Sequence, residues 1–280
     1  MTASDLVDDS PGQPAPPRSL IVTVYGLYAR EVGGWISVST LIRLLAELDV
    51  DAPAVRSSIS RLKRREILVA ERRDGRAGYA LSPYARAVLE TGDRRIFERN
   101  DATDEGWVVA VFSVPESERQ HRHQLRSRLA WLGFGTVSSG VWIAPAHALD
   151  DTRDHLLRHG LDQYVDLFRA DYVAFGDPAE QVGRWWDLDA LQKLYDDFVA
   201  EFTPMAARWT ETGQQQDAFV DYVHVLTAWR RLPYLDPGLP GTLLPATWSG
   251  TTAADLFSTL RQALAAPAHE FARRLLDESP

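Results

Sequence analysis

Near the start of the chain, three stretches have apolar side chains at helical spacing, so each would form an apolar stripe along a helix. Residues that typically start or stop helices flank each stretch. The first stripe ends at Gly33-Gly34, and the second follows Ser37 and Ser39, either of which can cap a helix. Asp51 is placed to cap a third helix over 52–66. The inward positions are Leu20, Ile21, Val24, Leu27, Tyr28, Leu41, Leu44, Leu45, Leu48, Val55, Ile59 and Leu62. The pattern therefore predicts three successive helices.

A hairpin is expected directly after the third helix. Residues 67–82 alternate between apolar and polar around Asp74-Gly75, a dipeptide typical of two-residue turns. Trp35 and Ile36, between the first two helices, are expected to form a short extended link. Three helices followed by a hairpin predict a winged helix-turn-helix over about residues 18–82.

The distribution of charge favours nucleic acid as the partner of this module. The net charge of the whole chain is −9, which by itself argues against binding phosphates. However, residues 18–100 hold 15 basic and 10 acidic side chains, whereas residues 101–280 hold 15 and 26. Residues 51–76 alone hold eight basic and four acidic side chains. The positive charge is thus concentrated on the third helix and the hairpin.

The outer face of the third helix suits a DNA major groove, because arginine can form two hydrogen bonds to guanine and serine can bond any base. The basic residues at the helix end and near the hairpin tip suit phosphates. The candidate DNA-binding residues are Arg56, Ser57, Ser60, Arg61, Lys63, Arg64, Arg65, Arg72, Arg73 and Arg76. The alternative is a solvated surface without a ligand, but the order of helices and basic hairpin favours DNA binding.

The composition narrows the class of protein. Zero cysteines exclude disulfides, thiolate metal sites and cysteine nucleophiles, which suits a reducing cytoplasm. No apolar run approaches the roughly 20 residues of a membrane span. Residues 1–17 are acidic and proline-rich, without the features of a signal peptide, and are expected to be a disordered tail. The composition predicts a soluble, cytoplasmic, multidomain protein with no membrane partner.

Beyond the first module the pattern changes twice. Residues 101–176 read as strand, helix, strand, strand, helix and strand, the ferredoxin-like order, which hosts many unrelated functions. Residues 177–280 read as amphipathic helices with a proline-rich crossing before the last one. We therefore predict an α+β multidomain chain. Its winged helix-turn-helix domain with a linker helix occupies 18–100, a ferredoxin-like domain 101–176, and a helical domain 177–280.

These segments together resemble the PaaX family of repressors over nearly the whole chain. The most specific part of the resemblance lies in the proline-rich crossing. The matching runs are Val55 to Leu62, Gly78-Tyr79-Ala80-Leu81-Ser82, Trp131-Leu132-Gly133-Phe134-Gly135, Asp236-Pro237, Leu243-Leu244-Pro245 and Trp248-Ser249-Gly250. Glu66 departs from the pattern, since family members usually place a glycine there to close the recognition helix.

The resemblance implies a winged helix, a middle domain like the small ferredoxin-like nuclease of CRISPR spacer acquisition, and a helical C-terminal domain. It also implies homodimers that bind palindromic double-stranded operators. Repression would be relieved by a small effector, which for the founding members is an aromatic acyl-CoA thioester, phenylacetyl-CoA. No resident cofactor is implied.

An effector pocket is expected at the seam between the middle and C-terminal domains, because ligand sites favour domain boundaries. Aromatic side chains could line such a pocket and an arginine could pair with an acidic group. The candidates are Trp142, Trp185, Trp186, Arg230, Arg231 and Trp248. Aromatic residues at helical spacing can equally be ordinary core.

Catalytic and metal chemistry are not favoured by the residues. His121 and His123 flank Arg122, and His155 and His159 share a helix face, but neither pair has an identifiable third ligand. The first strand of the middle domain, around Val111 to Val114, supplies no metal-binding carboxylate. Two alternatives to an effector-controlled repressor remain. One is an enzyme acting on a nucleotide or thioester through the middle and C-terminal domains, and the other is a DNA-binding scaffold or activator without a small-molecule input.

Overall fold

The computed structural model describes residues 15–98, 106–173, 175–209 and 214–278. These residues form two compact units. Unit 1 takes its described residues from 15–98, 196–231 and 250–278, and unit 2 takes its described residues from 106–195 and 232–249. The predicted tail at 1–17 lies mostly outside the described residues, and the first helix begins at Pro17. No helix in the described ranges is long and apolar enough to cross a membrane.

Unit 1 begins with three helices whose starts follow from local sequence. They are α1 (Pro17–Val24), α2 (Val38–Ala46) and α3 (Ala52–Arg64). Helix α1 continues through a π-helical turn and a 3-10 turn to Val32, where Gly33 adopts a left-handed conformation. The hydroxyl of Ser37 accepts a hydrogen bond from the backbone N–H of Thr40, so Ser37 caps α2. The predicted inward positions of α2 and α3 are buried.

A three-stranded antiparallel sheet completes the first part of unit 1. Its strands are β1 (Trp35–Ser37), β2 (Leu68–Arg73) and β3 (Arg76–Leu81), in the spatial order β1-β3-β2. Both Asp74 and Gly75 have positive φ, as the predicted two-residue turn requires. The segment expected to be a mere extended link is a paired strand, since Trp35 lies opposite Ala80. Helix α4 (Pro83–Phe97) follows the hairpin.

Helices from the C-terminal part of the chain share the core of unit 1. They are α9 (Gln215–Trp229), α11 (Gly250–Asp277) and the later turns of α8 (Leu188–Arg208). Residues Ser19 to Tyr25 are buried because α9, α2 and α3 pack against α1, and α11 packs against the π-helical turn that follows it. The hydroxyls of Thr23 and Thr227 are 2.8 Å apart in this contact. The rings of Tyr28 and Phe219 lie 5.6 Å apart between centroids.

Unit 2 is built on a four-stranded antiparallel sheet in the order β5-β6-β4-β7. The strands are β4 (Trp107–Phe112), β5 (Gly135–Ser138), β6 (Val141–Pro145) and β7 (Val165–Ala170). Helices α5 (Arg119–Trp131) and α6 (Leu149–Arg158) contribute Leu125, Leu129 and Leu156 to a core with alternate residues of β4 and β6.

A second core cluster of unit 2 contains Trp107 and Ile143 from the sheet. Helix α7 (Pro178–Trp185) and residues 239–244 pack there, and the latter follow the short helix α10 (Leu232–Leu235). The Trp186 indole lies over Gly135, where an added Cβ would come within 2.7 Å of its ring. The indole N–H donates to the carbonyl of Gly133. A glycine at 135 therefore allows this close packing.

The helical segment predicted as one domain over 177–280 contributes to both units. Residues 232–249 and the chain up to Tyr195 belong to unit 2, whereas 196–231 and 250–278 belong to unit 1. The described residues thus form a mixed α and β protein with two small antiparallel sheets. The three-domain division stays a prediction.

Candidate nucleic-acid interface

Helix α3 has one buried side and one exposed polar side. The Asp51 carboxylate accepts a hydrogen bond from the N–H of Ala54 at 2.7 Å and fixes the start of the helix. The buried side of the helix consists of Val55, Ser58, Ile59 and Leu62. Six of the predicted DNA-binding residues on this helix are exposed, namely Arg56, Ser57, Ser60, Arg61, Lys63 and Arg64, and Arg65 is half-buried.

The exposed arginines of α3 have no counter-ion among the residues that the structure describes. In the part of the chain that the structure describes, Arg56, Arg61 and Arg64 have no ion pair or hydrogen bond to a carboxylate. The Lys63 ammonium lies 5.9 Å from the centroid of the Tyr79 ring, which belongs to the hairpin. This side of the helix therefore carries positive charge that is available to a polyanion.

The end of α3 is closed by a residue in the left-handed conformation. Glu66 has φ of 52°, its N–H donates to the carbonyl of Lys63, and the N–H of Ile67 donates to that of Leu62. This pair of hydrogen bonds is the Schellman arrangement, in which glycine is the favoured residue. Glu66 thus adopts a conformation that favours glycine, and this conformation directs the chain from α3 into the hairpin.

The basic residues of the hairpin differ in their surroundings. Arg72 is exposed and donates a hydrogen bond to the carbonyl of Gly75 at the turn. Arg73 forms an ion pair with Glu71 at 2.6 Å and donates to the carbonyl of Gly33. Arg76, like Arg73, lies over the indole of Trp35. The three arginines therefore do not form one uniform cluster.

Trp35 and Tyr79 were not among the predicted site residues. The Trp35 indole N–H donates to the carbonyl of Glu71 at 3.1 Å, and its ring packs against Gly78. Tyr79 lies under Lys63, and its carbonyl accepts a hydrogen bond from the Tyr25 hydroxyl. The glycine in the middle of β3 was the available signal, because a glycine inside a strand often marks a close approach of another group.

Replacing Gly78 with alanine is expected to destabilise unit 1 by about 1–3 kcal/mol, because an overpacked site must shift its neighbours. An added Cβ would lie 2.4 Å from the Trp35 ring and 2.5 Å from the carbonyl oxygen of Ile36. Urea unfolding followed by circular dichroism measures the change. Gly26→Ala is a control without crowding or a positive φ in the same unit, since its added Cβ would make an ordinary contact at 3.8 Å with the Leu89 side chain. Equal losses in the two variants would contradict the crowding explanation.

The histidines that the sequence offered as metal ligands have other contacts. His155 stacks between Trp131 and His159 and accepts a hydrogen bond from the Arg128 guanidinium at 2.9 Å. His121 stacks on Tyr164, whose hydroxyl donates to Glu118. Within the described ranges, no group of three or more histidine and carboxylate side chains is arranged to hold a metal ion.

Burial lowers the pKa of His155 from its ordinary 6.5 to about 3, and the neighbouring His159, Arg128 and Arg158 add to this effect. Because the unfolded chain binds a proton below about pH 6.5 and the folded chain does not, the stability of unit 2 should fall as the pH drops from 6.5 toward 4. His155→Gln keeps an acceptor for Arg128 but does not titrate, so its loss of stability over this range should be smaller. Urea unfolding at several pH values, followed by tryptophan fluorescence, measures the difference. Identical pH profiles for the two proteins would contradict the assignment.

The predicted effector residues do not converge within either unit. Trp185 and Trp186 lie together with Trp107 in one aromatic cluster, at 5.7 and 6.2 Å between ring centroids. Trp142 is buried in the core between sheet and helices, and Trp248 contacts Tyr195. Arg230 and Arg231 belong to unit 1, where Arg230 is buried. The effector site stays a prediction.

Known proteins resemble this chain over most of its length. It is 27% identical over 265 residues to the transcriptional repressor PaaX of Escherichia coli strain K12. The aligned region covers 92% of this chain and 83% of that repressor. A solved structure of the Mycobacterium tuberculosis protein Rv0674 has a similar fold, with a TM-score of 0.57 and 23% identity over 88% of this chain and 99% of that one.

Three family models match consecutive parts of the chain. The model described as PaaX-like protein matches residues 16–85, and that of the PaaX protein central Cas2-like domain matches 100–182. The model of the PaaX-like protein C-terminal domain matches 186–274. Together with the relative from Escherichia coli, these matches confirm the resemblance found in the sequence, and the chain belongs to the PaaX family.

Proposed function

We propose that this protein is a DNA-binding transcriptional repressor that reads its operator with helix α3. The observation that carries this proposal is the exposed side of α3, where Arg56, Arg61 and Arg64 have no counter-ion within the described ranges. Residues 17–81 would act as a winged helix-turn-helix, with α3 in the major groove and the hairpin of β2 and β3 as the wing. The match of residues 16–85 to the PaaX-like model supports this function.

The positions along α3 suit two kinds of contact. Arg56 and Ser60 lie one turn apart, as do Ser57 and Arg61, so two adjacent rows face outward near the start of the helix. These side chains would contact base edges. Lys63, Arg64 and Arg65 at the other end would contact phosphates, as would the wing.

The enzyme alternative is not favoured. The relative from Escherichia coli is a transcriptional repressor, and the family models that match this chain are those of PaaX proteins. A scaffold or activator without a small-molecule input is separated from our proposal by a single test, namely whether a metabolite changes operator affinity.

The homodimer, the palindromic operator and the effector are proposed from the resemblance to the PaaX family. The protein would bind a palindromic operator as a homodimer in the cytoplasm. A small effector, for which phenylacetyl-CoA is the first compound to try, would release it by favouring a geometry of the dimer that fits the operator poorly.

The antiparallel order β5-β6-β4-β7 supports a ferredoxin-like middle domain within 101–176.

DNase footprinting on the region upstream of the protein's own gene tests the function. We expect a protected palindromic site and an affinity for it at least about a thousandfold above that for a mixed-sequence duplex at physiological salt. Adding phenylacetyl-CoA, with free coenzyme A as control, should weaken the protection. A protein that binds every duplex equally would contradict sequence-specific repression, and unchanged protection with phenylacetyl-CoA would contradict only this effector.

A further inference from the structure

The two faces of the wing carry different arginines. Side chains alternate along a strand, and Arg72 lies opposite Ala77 whereas Arg73 lies opposite Arg76. Arg72 therefore shares a face with Ala70 and Tyr79, and Arg73 and Arg76 share the other face with Glu71 and Gly78. A DNA backbone that lies along one of these faces contacts the side chains of that face and not those of the other.

The Arg72 face is the one that continues onto helix α3. Tyr79 on this face lies beneath the Lys63 ammonium, at 5.9 Å from its ring centroid. Lys63 and Arg72 are both exposed, and both lie next to the surface formed by Tyr79 and Ala77. A duplex bound to α3 therefore meets Arg72 when it reaches the wing.

On the opposite face, Glu71, Arg73, Arg76 and Trp35 hold one another in place, and we call this cluster the lock. Arg73 and Arg76 face each other across the strands, and like charges in such a pair repel. The repulsion is offset by the Glu71 carboxylate at 2.6 Å from Arg73 and by the Trp35 ring, whose centroid lies 5.6 Å from the Arg73 guanidinium and 5.9 Å from that of Arg76. Gly78 leaves the space that the indole occupies.

The lock also ties the wing to the end of the first helix. Arg73 donates to the carbonyl of Gly33 at 3.3 Å, and the indole N–H of Trp35 donates to the carbonyl of Glu71. The charge of Arg73 is thus paired with Glu71, and two of its five N–H groups donate hydrogen bonds within the protein. A phosphate contact by Arg73 would have to compete with these bonds.

We propose that Arg72 is the arginine through which the wing contacts the DNA backbone, and that Trp35 is a positioning residue that holds Arg73 and Arg76 on the opposite face of the wing. This inference rests on the proposed DNA binding of α3. It gives different roles to Arg72, Arg73 and Arg76, which the sequence analysis listed together as DNA-binding candidates.

Salt dependence of binding to a mixed-sequence duplex tests the Arg72 assignment. Each phosphate contact contributes about 0.9 to the slope of log affinity against log salt. We expect Arg72→Ala to lower this slope by about that amount between about 50 and 200 mM NaCl, and Arg72→Lys to restore it. Arg73→Ala and Arg76→Ala should leave the slope as in the wild type. Arg273→Ala, which removes an exposed arginine from α11, controls for net charge.

Hydrogen exchange of the hairpin amides tests the role of Trp35. In Trp35→Ala we expect the amides of residues 68–81 to exchange at least about tenfold faster, with less change in α2 and α3, and Trp35→Phe should recover part of the protection. A lower salt slope in Arg73→Ala or Arg76→Ala, or an unchanged slope in Arg72→Ala, would overturn the assignment of faces. Unchanged exchange in Trp35→Ala would overturn the lock. A wild-type protein without salt-dependent binding would instead refute the proposed function itself.

Discussion

Phe219→Ala is expected to lower the free energy of unfolding of unit 1 by about 3–5 kcal/mol, the range for removing a buried phenylalanine ring. Phe219 is fully buried in α9, where its ring contacts Tyr28 at 5.6 Å and Phe271 at 5.3 Å between centroids. Because Tyr28 lies in the π-helical turn that follows α1, the cavity would open beside the first helical segment of the proposed DNA-binding module. A substitution in the C-terminal part of the chain should therefore impair operator binding through stability.

Urea unfolding and hydrogen exchange measure this effect together. We expect the amides of α1 to α3 to lose protection in parallel with those of α9 and α11. Phe168→Ala is the matched control, since the Phe168 side chain is 52% exposed on β7 and its removal should change stability by no more than about 0.5 kcal/mol. If α1 to α3 stay as protected in Phe219→Ala as in the wild type, the shared core of unit 1 is not a cooperative one.

The local features of the DNA-binding module were predictable because short-range chemistry determines them. Asp51 and Ser37 cap helices through hydrogen bonds that span three residues, and Asp74-Gly75 forms its turn through its own backbone preferences. The buried stripe of α3 follows from helical spacing alone. None of these features depends on the remainder of the chain.

Local sequence could not predict which of the two compact units each C-terminal helix joins. The sequence shows that helix α1 has one apolar stripe, but the structure also buries Ser19 and Thr23, which lie outside it. Thr23 finds its partner in Thr227, more than 200 residues later. An amphipathic pattern indicates which face of a helix is covered, but not which distant segment covers it. The same limit applies to residues 177–280, whose pattern gives the helices but not the compact unit that each helix joins.

Strand β1 was missed for a different reason. Three residues are too few to show the alternation that identifies a strand, so Trp35 and Ile36 were predicted as a link. Pairing with β3 is what makes them a strand. The consequence is functional, because the position of Trp35 on this edge brings its ring over Gly78 and next to the wing arginines.

The aromatic residues show why residue type and spacing do not identify an effector site. Trp142 was an effector candidate because it is aromatic, yet it is buried in the core of unit 2. Trp185 and Trp186 pack against Trp107 and Gly135 in the same way that core residues do. Aromatic side chains serve packing and ligand binding equally well, so their spacing alone does not separate the two roles.

The double substitution Arg56→Ala with Arg61→Ala should have the largest effect on operator binding. Both guanidiniums are exposed on α3 without ion pairs in the described part of the chain, so each is available for two hydrogen bonds to a guanine. Loss of one such contact costs about 1–3 kcal/mol, and the two losses together should reduce affinity for the footprinted operator by at least about thirtyfold. Fluorescence anisotropy with operator and mixed-sequence duplexes measures both affinities.

The ratio of these two affinities decides what the arginines do. If Arg56 and Arg61 contact base edges, the double variant loses most of its preference for the operator while its affinity for mixed sequence falls much less. Arg119→Ala with Arg273→Ala removes the same charge from exposed positions on α5 and α11 and should keep the preference. Arg56→Lys with Arg61→Lys retains the charge on α3 but not the paired donors, so it should recover affinity for mixed sequence more than preference for the operator. Equal losses on both duplexes would instead identify Arg56 and Arg61 as phosphate contacts, and base recognition would then have to come from Ser57 and Ser60.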